Sequence, residues 1–285
     1  MLRHLSTHKL PPVPEKLKGK HDETSSVRRS TQGQITIPFS PGTPSVRPVK
    51  RSPAPILFDL DQTIIPWDTQ LVFRCYVLRK EPLRRLLTAI FLLFLPLNKV
   101  LGAGGMKRVF HSYLWGMSRS KLQGHVNGFL DEWLPKLPYP EILEEIAFYK
   151  QKDHPLILSS ASPQLWVEGI GRKLGFDHSY GTLFDWTEKS SLFPELIGEN
   201  HKGREKVRRL AGVNITSGLA GFSDSKADLP LLELCKEKTL VNPLPGMRRL
   251  GEANHWRILE PDKPWKNRLA FGIGCVRQLF GFWKP

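Results

Sequence analysis

The sequence has few cysteines, and those it has are far apart. Cys75, Cys235 and Cys275 form no C-x-x-C pair. This spacing excludes a disulfide-dense secreted scaffold and a cysteine-rich zinc site of ordinary spacing. It favours a reducing compartment, and we expect a cytoplasmic protein.

The sequence also lacks the signature of a secretory signal. Residues 1–54 contain no apolar segment of the kind that signal peptides carry. The most apolar stretch, LLTAIFLLFLPL at residues 86–97, is shorter than the roughly 18 residues that a membrane-spanning helix needs. We therefore expect no spanning helix and, at most, peripheral contact with a membrane.

Acidic residues are outnumbered, with 27 Asp and Glu against 42 Lys and Arg, which gives a formal net charge of +15. Residues 1–54 hold ten basic and three acidic residues, a net charge of +7, among many prolines and serines. This composition predicts a disordered basic tail. The charge suits an acidic partner such as a phosphate ester or an anionic membrane. The sequence has no pattern of interleaved aromatic and basic residues, so we expect no specific nucleic-acid partner.

Short apolar runs alternate with helical patterns along the rest of the chain. Residues 68–149 have helical spacing throughout, and DWTEKSSLFPELIG, at 185–198, has a strand-rich composition. The runs that predict strands are PILFD, HPLILSSASP, SGLAGFSDS, TLVNP and WRIL. Such alternation predicts an α/β fold with a parallel sheet that helices cover on both faces.

Polar clusters follow three of the predicted strands, and in parallel sheets the ligands bind at this edge. The clusters are Asp59 with Asp61, Ser160 with Ser162, and Asp224 with Asp228. Asp59, Asp61 and Asp224 are oxygen ligands that would suit Mg²⁺.

A carboxylate can attack a phosphoryl group once Mg²⁺ neutralises the repulsion between them, and this forms an aspartyl-phosphate. A second acid can protonate the leaving oxygen and later activate water. Ser160 and a lysine would then bind the phosphoryl oxygens.

Four stretches, FDLDQT, ILSSASP, GREKVRRL and GFSDSKADLPLL, resemble in order the four motifs of the haloacid dehalogenase superfamily, and most closely its phosphoserine-phosphatase-like subfamily. The resemblance covers about residues 55–262. It implies that Asp59 is the nucleophile and that Asp61 is the general acid and base, with its main-chain carbonyl on the metal. It also implies that Thr63 orients the turn.

The same resemblance implies roles for the later motifs. Ser160 binds phosphate, Asp224 is a metal ligand, and Asp228 holds the metal water or the catalytic lysine. That lysine is expected to be Lys206, with Lys202 as the alternative.

The family resemblance implies a three-layer Rossmann-like core, with a parallel sheet, at 55–74 and 150–262. It implies a helical cap inserted at 75–149. Relatives that dehalogenate lack the second aspartate, so Asp61 indicates a phosphatase, with a phosphotransferase on the same site as the alternative.

Two stretches bear on the substrate. The apolar run at 86–97 lies in the predicted cap, and a helical stripe is predicted in the basic segment 263–285. The stripe consists of Trp265, Leu269, Ile273, Val276, Phe280 and Trp283. This segment is predicted to be an interfacial helix on an anionic membrane, or a helix docked on the core.

The cap, including Leu114-Trp115-Gly116, loosely resembles that of the C-type phosphatidylglycerophosphate phosphatases of the same family. A phosphorylated lipid such as phosphatidylglycerophosphate is therefore the expected substrate. A small metabolite such as phosphoserine is one alternative, and a non-catalytic, basic membrane-binding adaptor is another.

Overall fold

The computed structural model of the chain describes residues 53–186 and 188–285. The predicted basic tail, apart from its last two residues, lies outside these ranges. The domain boundaries predicted from the sequence remain predictions, although one helix, Thr69–Lys80, runs unbroken through the boundary placed between residues 74 and 75.

Six parallel strands form one sheet in the order β3-β2-β1-β4-β5-β6. They are β1 (Ile56–Phe58), β2 (Leu156–Pro163), β3 (His178–Thr182), β4 (Gly218–Ser223), β5 (Cys235–Val241) and β6 (Arg257–Leu259). Because β1 lies between β2 and β4, the segments that follow these three strands leave the sheet side by side. The predicted α/β fold with a parallel sheet is confirmed.

The helices account for most of the remaining chain. They are α1 (Thr69–Lys80), α2 (Thr88–Phe94), α3 (Asn98–Phe110), α4 (Arg119–Glu132), α5 (Pro140–Gln151), α6 (Gln164–Leu174), α7 (Arg204–Ala211), α8 (Leu229–Glu233), α9 (Pro245–Ala253) and α10 (Arg268–Leu279). Gly175 ends α6 in the left-handed conformation at φ 82°. Helices α1 to α5 form the predicted helical insertion between β1 and β2.

The buried character of β1 explains why it lies near the middle of the sheet. Ile56, Leu57 and Phe58 are all fully buried, as expected for a strand covered on both faces. Phe58 also stacks on Phe222 of β4, with ring centroids 4.3 Å apart. This packing holds the start of the first polar cluster close to the end of β4.

One strand differs from the sequence prediction. The segment 185–198, expected to be strand-rich, contributes only isolated bridges, such as Phe184 with Leu196 and Ser118 with Lys189. The strand is instead β3, just before it, with the sequence HSYGT. The sequence of β3 contains no apolar run, because β3 is an edge strand that pairs only with β2.

A helical segment from Pro82 to Leu114 is apolar and largely exposed. It is 33 residues long and contains an 18-residue window of mean hydropathy 1.9, of which only 6% is buried. By length and composition alone it could cross a membrane. The expectation that no segment reaches this length is therefore wrong, because helical turns continue beyond residue 97 through α3.

This segment doubles back on itself as a helical hairpin rather than forming one straight rod. Helix α2 packs against α3, and the turns at 82–87 pack against those at 111–114. Gly102 breaks α3 with a non-helical φ of 62°. We call Pro82–Leu114 the apolar hairpin.

Helix α10 docks on the core and also exposes one apolar face. Trp265 and Trp283 pack on Trp67, with ring centroids 4.6 and 5.5 Å away. In contrast, Leu269 and Ile273 are exposed. The predicted stripe is thus divided, since its two tryptophans contact the core while the middle of the helix faces outward.

Arg74 joins α1 to the apolar hairpin and to α10. Its fully buried guanidinium donates to the carbonyl oxygens of Leu279 at 3.0 Å and Phe110 at 2.9 Å, and to Thr88 Oγ1 at 2.8 Å. It also lies over the ring of Tyr113. Burial lowers the pKa of Arg74 to about 10, so the side chain remains charged at neutral pH.

We predict that Arg74→Ala destabilises the protein by about 3 kcal/mol or more, since it leaves buried carbonyl groups unpaired and opens a cavity. Urea denaturation of the two proteins measures this difference. Arg79→Ala, on an exposed position of the same helix, should change the free energy of unfolding by less than about 0.5 kcal/mol. A loss below about 1 kcal/mol for Arg74→Ala would contradict the assignment of this arginine as the connecting residue.

Candidate active site

An ion pair between Asp59 and Lys206 forms the centre of the polar cluster. Asp59 follows β1 directly, and Lys206 lies in the first turn of α7. Lys206 Nζ donates to Asp59 Oδ1 at 2.7 Å and to Asp228 Oδ2 at 2.9 Å. All three side chains are buried. Burial raises the pKa of Asp59 well above its ordinary value, and the charge of Lys206 opposes this shift.

The lysine is held in its charged form by its two partners. Although burial acts against the charge, Asp59 and Asp228 raise the pKa of Lys206 above its ordinary value. Ser223 Oγ also donates to Asp228 Oδ2 at 2.9 Å and fixes that carboxylate. Lys202, the alternative lysine, lines the cavity, while Lys206 is the lysine in contact with Asp59.

Thr63 places the carboxylates of two strand ends next to each other. Its hydroxyl donates to Asp59 Oδ2 at 3.2 Å and lies 3.4 Å from Asp224 Oδ1. The backbone N–H of Asp224 donates back to the same hydroxyl at 3.1 Å. The acids that follow β1 and β4 therefore converge, as the strand order requires.

Asp61 points toward the end of β2 and the start of α1. It accepts hydrogen bonds from Ser160 Oγ at 3.0 Å, from Ser162 Oγ at 2.7 Å and from the backbone N–H of Thr69 at 2.7 Å. Ser160 thus holds Asp61 in this structure, and its predicted role in binding phosphate remains a prediction. Ser162, the other serine of this cluster, contacts Asp61 as well.

Asp59, Asp61, Lys206, Asp224 and Asp228 line a cavity of about 260 Å³ whose walls include further polar groups. Asp68 begins α1 by accepting from the N–H of Gln70, and burial together with Asp61 raises its pKa to about 6. Lys107, on α3, crosses from the apolar hairpin and donates to Ala161 O at 2.6 Å. Burial lowers the pKa of Lys107 to about 8. Asn200 accepts from the same amino group at 2.6 Å.

Asp59 and Asp224 fit a hard divalent cation. Oxygen donors are the ligands that Mg²⁺ prefers. Burial, and after it the charge of the neighbouring Asp228, raises the pKa of Asp224 to about 7, and a bound cation would favour the ionised carboxylate. Within 53–186 and 188–285, no three His, Cys, Asp or Glu side chains form a ready metal site. The predicted site needs only two carboxylates, because Asp61 is expected to contribute its main-chain carbonyl.

Sequence reasoning missed several polar residues around the cavity. Lys107 and Asn200 are 93 residues apart and meet only in the folded chain. The neighbouring His201 pairs through Nε2 with Ser159 Oγ at 2.9 Å. Burial lowers the pKa of His201 to about 3, so it is neutral at physiological pH. No local pattern distinguishes these residues from ordinary loop residues.

A family model described as haloacid dehalogenase-like hydrolase matches residues 56–233, which include every site residue predicted above. The chain belongs to this family. The prediction of a hydrolase with the haloacid dehalogenase fold is therefore confirmed.

The chain is also similar to a curated protein and to two solved structures. The probable phosphatase Rv3661 of Mycobacterium tuberculosis is 26% identical over 249 residues, which is 84% of this chain and 85% of that protein. A solved protein of unknown function from Bordetella pertussis Tohama I is 20% identical, with a TM-score of 0.62 over 73% of this chain and 98% of that chain. A probable phosphoserine phosphatase from Vibrio cholerae is 14% identical, with a TM-score of 0.53 over 82% of this chain and 68% of that chain. At these identities the two solved structures show a shared fold.

Proposed function

We propose that the chain is a Mg²⁺-dependent phosphatase that hydrolyses phosphomonoesters through an aspartyl-phosphate on Asp59. The observation that carries the proposal is the buried contact of Asp59 with Lys206, beside Asp224, at the carboxyl edge of the sheet. The names of the relatives from Mycobacterium tuberculosis and Vibrio cholerae, both called phosphatases, are consistent with it.

In the first step, Asp59 Oδ attacks phosphorus and the bond from phosphorus to the leaving oxygen breaks. Asp61 donates a proton to that oxygen, which departs as the alcohol. In the second step Asp61 takes a proton from water, the water oxygen attacks phosphorus, and Asp59 is released with inorganic phosphate. Bound Mg²⁺ supplies positive charge that offsets repulsion between the phosphate and the carboxylates.

Lys206 is the positive group nearest the nucleophile. Its amino group holds Asp59 in one orientation and lies where a transferring phosphoryl group would gain negative charge. A phosphotransferase would share this first step and differ only in the acceptor. The two activities are distinguished by measuring whether the phosphoryl group is released as inorganic phosphate or transferred to an added alcohol.

We propose a phosphorylated lipid as the substrate class and the cytoplasmic surface of an anionic membrane as the place of action. The apolar hairpin exposes Leu86, Leu93 and Val100 to solvent. Exposed leucines of this kind on a soluble surface are costly unless they meet a partner. Basic residues accompany the exposed face of α10, and the chain carries a formal net charge of +15.

The hairpin geometry favours a shallow position on the membrane over a span. Helix α2 is only seven residues long, about 10 Å at the rise of an α-helix, and α3 is broken at Gly102. The loose resemblance of the cap to C-type phosphatidylglycerophosphate phosphatases agrees with a lipid substrate. A small metabolite such as phosphoserine would not require an exposed apolar surface next to the site.

We predict that Asp59→Asn lowers Mg²⁺-dependent hydrolysis of an aryl phosphate at least about a thousandfold, because the amide is not a nucleophile. Phosphate release measures the rate, and acid-quenched labelling measures the phospho-enzyme. Asp131→Asn, at an exposed ion pair with Lys173, is the matched control and should keep wild-type turnover. Retained turnover in Asp59→Asn would refute the nucleophile assignment.

We predict that Mg²⁺ binds more tightly as the pH rises through 7. The raised pKa of Asp224, about 7, means that below this pH the carboxyl group holds a proton that the metal must displace. The apparent Kd should therefore weaken by up to about tenfold per pH unit below 7. Titration calorimetry at pH 6 and pH 8 measures the Mg²⁺ affinity, and equal affinities at the two pH values would contradict the prediction. Asp224→Asn should remove most of the Mg²⁺ affinity at both pH values.

We predict that Leu93→Glu weakens binding to vesicles of anionic phospholipid at least about fivefold, because it places a charge on the exposed face of the apolar hairpin. Sedimentation with vesicles measures the bound fraction, and hydrolysis of an aryl phosphate should be unchanged. The control is Phe148→Glu, at an exposed apolar position on α5. Equal binding by all three proteins would remove the argument for a membrane-facing hairpin.

A further inference from the structure

A second cavity adjoins the candidate active site and differs from it in character. Its volume is about 550 Å³, within the range of small-molecule sites. It runs between α1, the apolar hairpin and α10. Most of its walls are apolar, and they include Leu71, Phe91, Met106, Phe110, Val276 and Leu279. We call this cavity the apolar groove.

The apolar groove and the active-site cavity share one wall. Asp68, Gln70, Ala103 and Lys107 line both of them. On one side of this wall lie the carboxylates and Lys206, and on the other lie hydrocarbon side chains. A ligand that occupied both cavities would therefore have a charged end and an apolar end.

The outer part of the groove opens at the exposed apolar surface. Leu95 of the hairpin is 40% exposed and Val276 of α10 is 56% exposed, and both line the groove. Leu92 and Ile273, one turn or less away on the same two elements, are also exposed. The groove thus adjoins the exposed apolar surface at its outer part and the polar cavity at the shared wall.

The groove owes its shape to contacts that tie its three walls together. Arg74, on α1, donates to the carbonyl oxygens of Phe110 on the hairpin and Leu279 on α10, and both of these residues line the groove. Because these bonds are buried, the walls are fixed in place before a ligand enters.

We propose that the apolar groove binds a hydrocarbon chain of the substrate while the phosphate group occupies the cavity at Asp59. This rests on the proposed phosphatase function and adds the site that selects substrates by their apolar part. The occupant is one chain of a phosphorylated lipid, argued from the shared wall and from the opening at the exposed hairpin.

The test compares straight-chain alkyl phosphates from butyl to octyl, all below their micellar concentration, with Mg²⁺ present. Burying each further methylene in the groove should raise kcat/KM by up to about fourfold until the groove is full. If the enzyme hydrolyses butyl phosphate but kcat/KM does not depend on chain length, the proposal that the groove binds a hydrocarbon chain is wrong. The proposed phosphatase activity would still stand.

Val276→Arg places a charge at the groove wall and should lower the ratio of kcat/KM for octyl over butyl phosphate at least about tenfold. Val213→Arg is the matched control, at a valine that is 45% exposed and lines neither cavity, and it should keep the wild-type ratio. An unchanged ratio in Val276→Arg would overturn the proposal. If that variant fails to fold, Leu95→Arg, with Leu143→Arg as its control, answers the same question.

A binding measurement separates failure of the groove from failure of the proposed function. Octylphosphonate and butylphosphonate have the same charged group and are not hydrolysed. If the enzyme turns over no phosphate ester, the proposed function fails, while calorimetry with the two phosphonates still tests the groove. Tighter binding of octylphosphonate that Val276→Arg removes supports the groove, and equal binding of the two refutes it.

Discussion

The buried contact of Lys206 with Asp59 and Asp228 is the interaction on which the site depends. Five aspartates line the polar cavity, and burial raises the pKa of three of them, Asp59, Asp68 and Asp224. An uncompensated cluster of this kind would take up protons or destabilise the fold. The lysine supplies the internal positive charge, and the proposed metal would supply the remainder.

The strand order explains why one lysine can serve this cluster. β1 lies between β2 and β4, so the turns after these strands are adjacent although they are far apart in the chain. Thr63 then connects the first turn to the last by contacting both Asp59 and Asp224. A parallel sheet thus brings together acids that lie more than 160 residues apart, without any long loop reaching across the site.

The helical insertion gives this family site a distinct apolar boundary. The apolar hairpin returns over the sheet, and Lys107 on its α3 reaches the end of β2. Arg74 joins the hairpin to α10, so that the polar cavity and the apolar groove lie side by side. In the function proposed above, the charged reaction centre would hold the phosphate and the apolar groove would hold the hydrocarbon chain of the substrate.

The sequence by itself determined the class of fold and the acids of the site. β1 and β2 are short apolar runs that end in polar residues, and these local patterns are visible because a buried strand must be apolar along its whole length. The order of the motifs then predicted Asp59, Asp61 and Asp224 as site residues, and their catalytic roles remain predictions. By contrast, β3 was missed, since an edge strand does not need an apolar run.

Only the tertiary structure decided which groups surround these acids. Lys107 meets Ala161 and Asn200 from a distant helix, and no spacing rule predicts a pairing between residues so far apart in the chain. Likewise, the stripe of α10 is compatible with a membrane or with the core, and the docking of Trp265 and Trp283 on Trp67 settles which residues face inward. Periodicity shows that a helix has an apolar face, whereas the partner of that face depends on long-range packing.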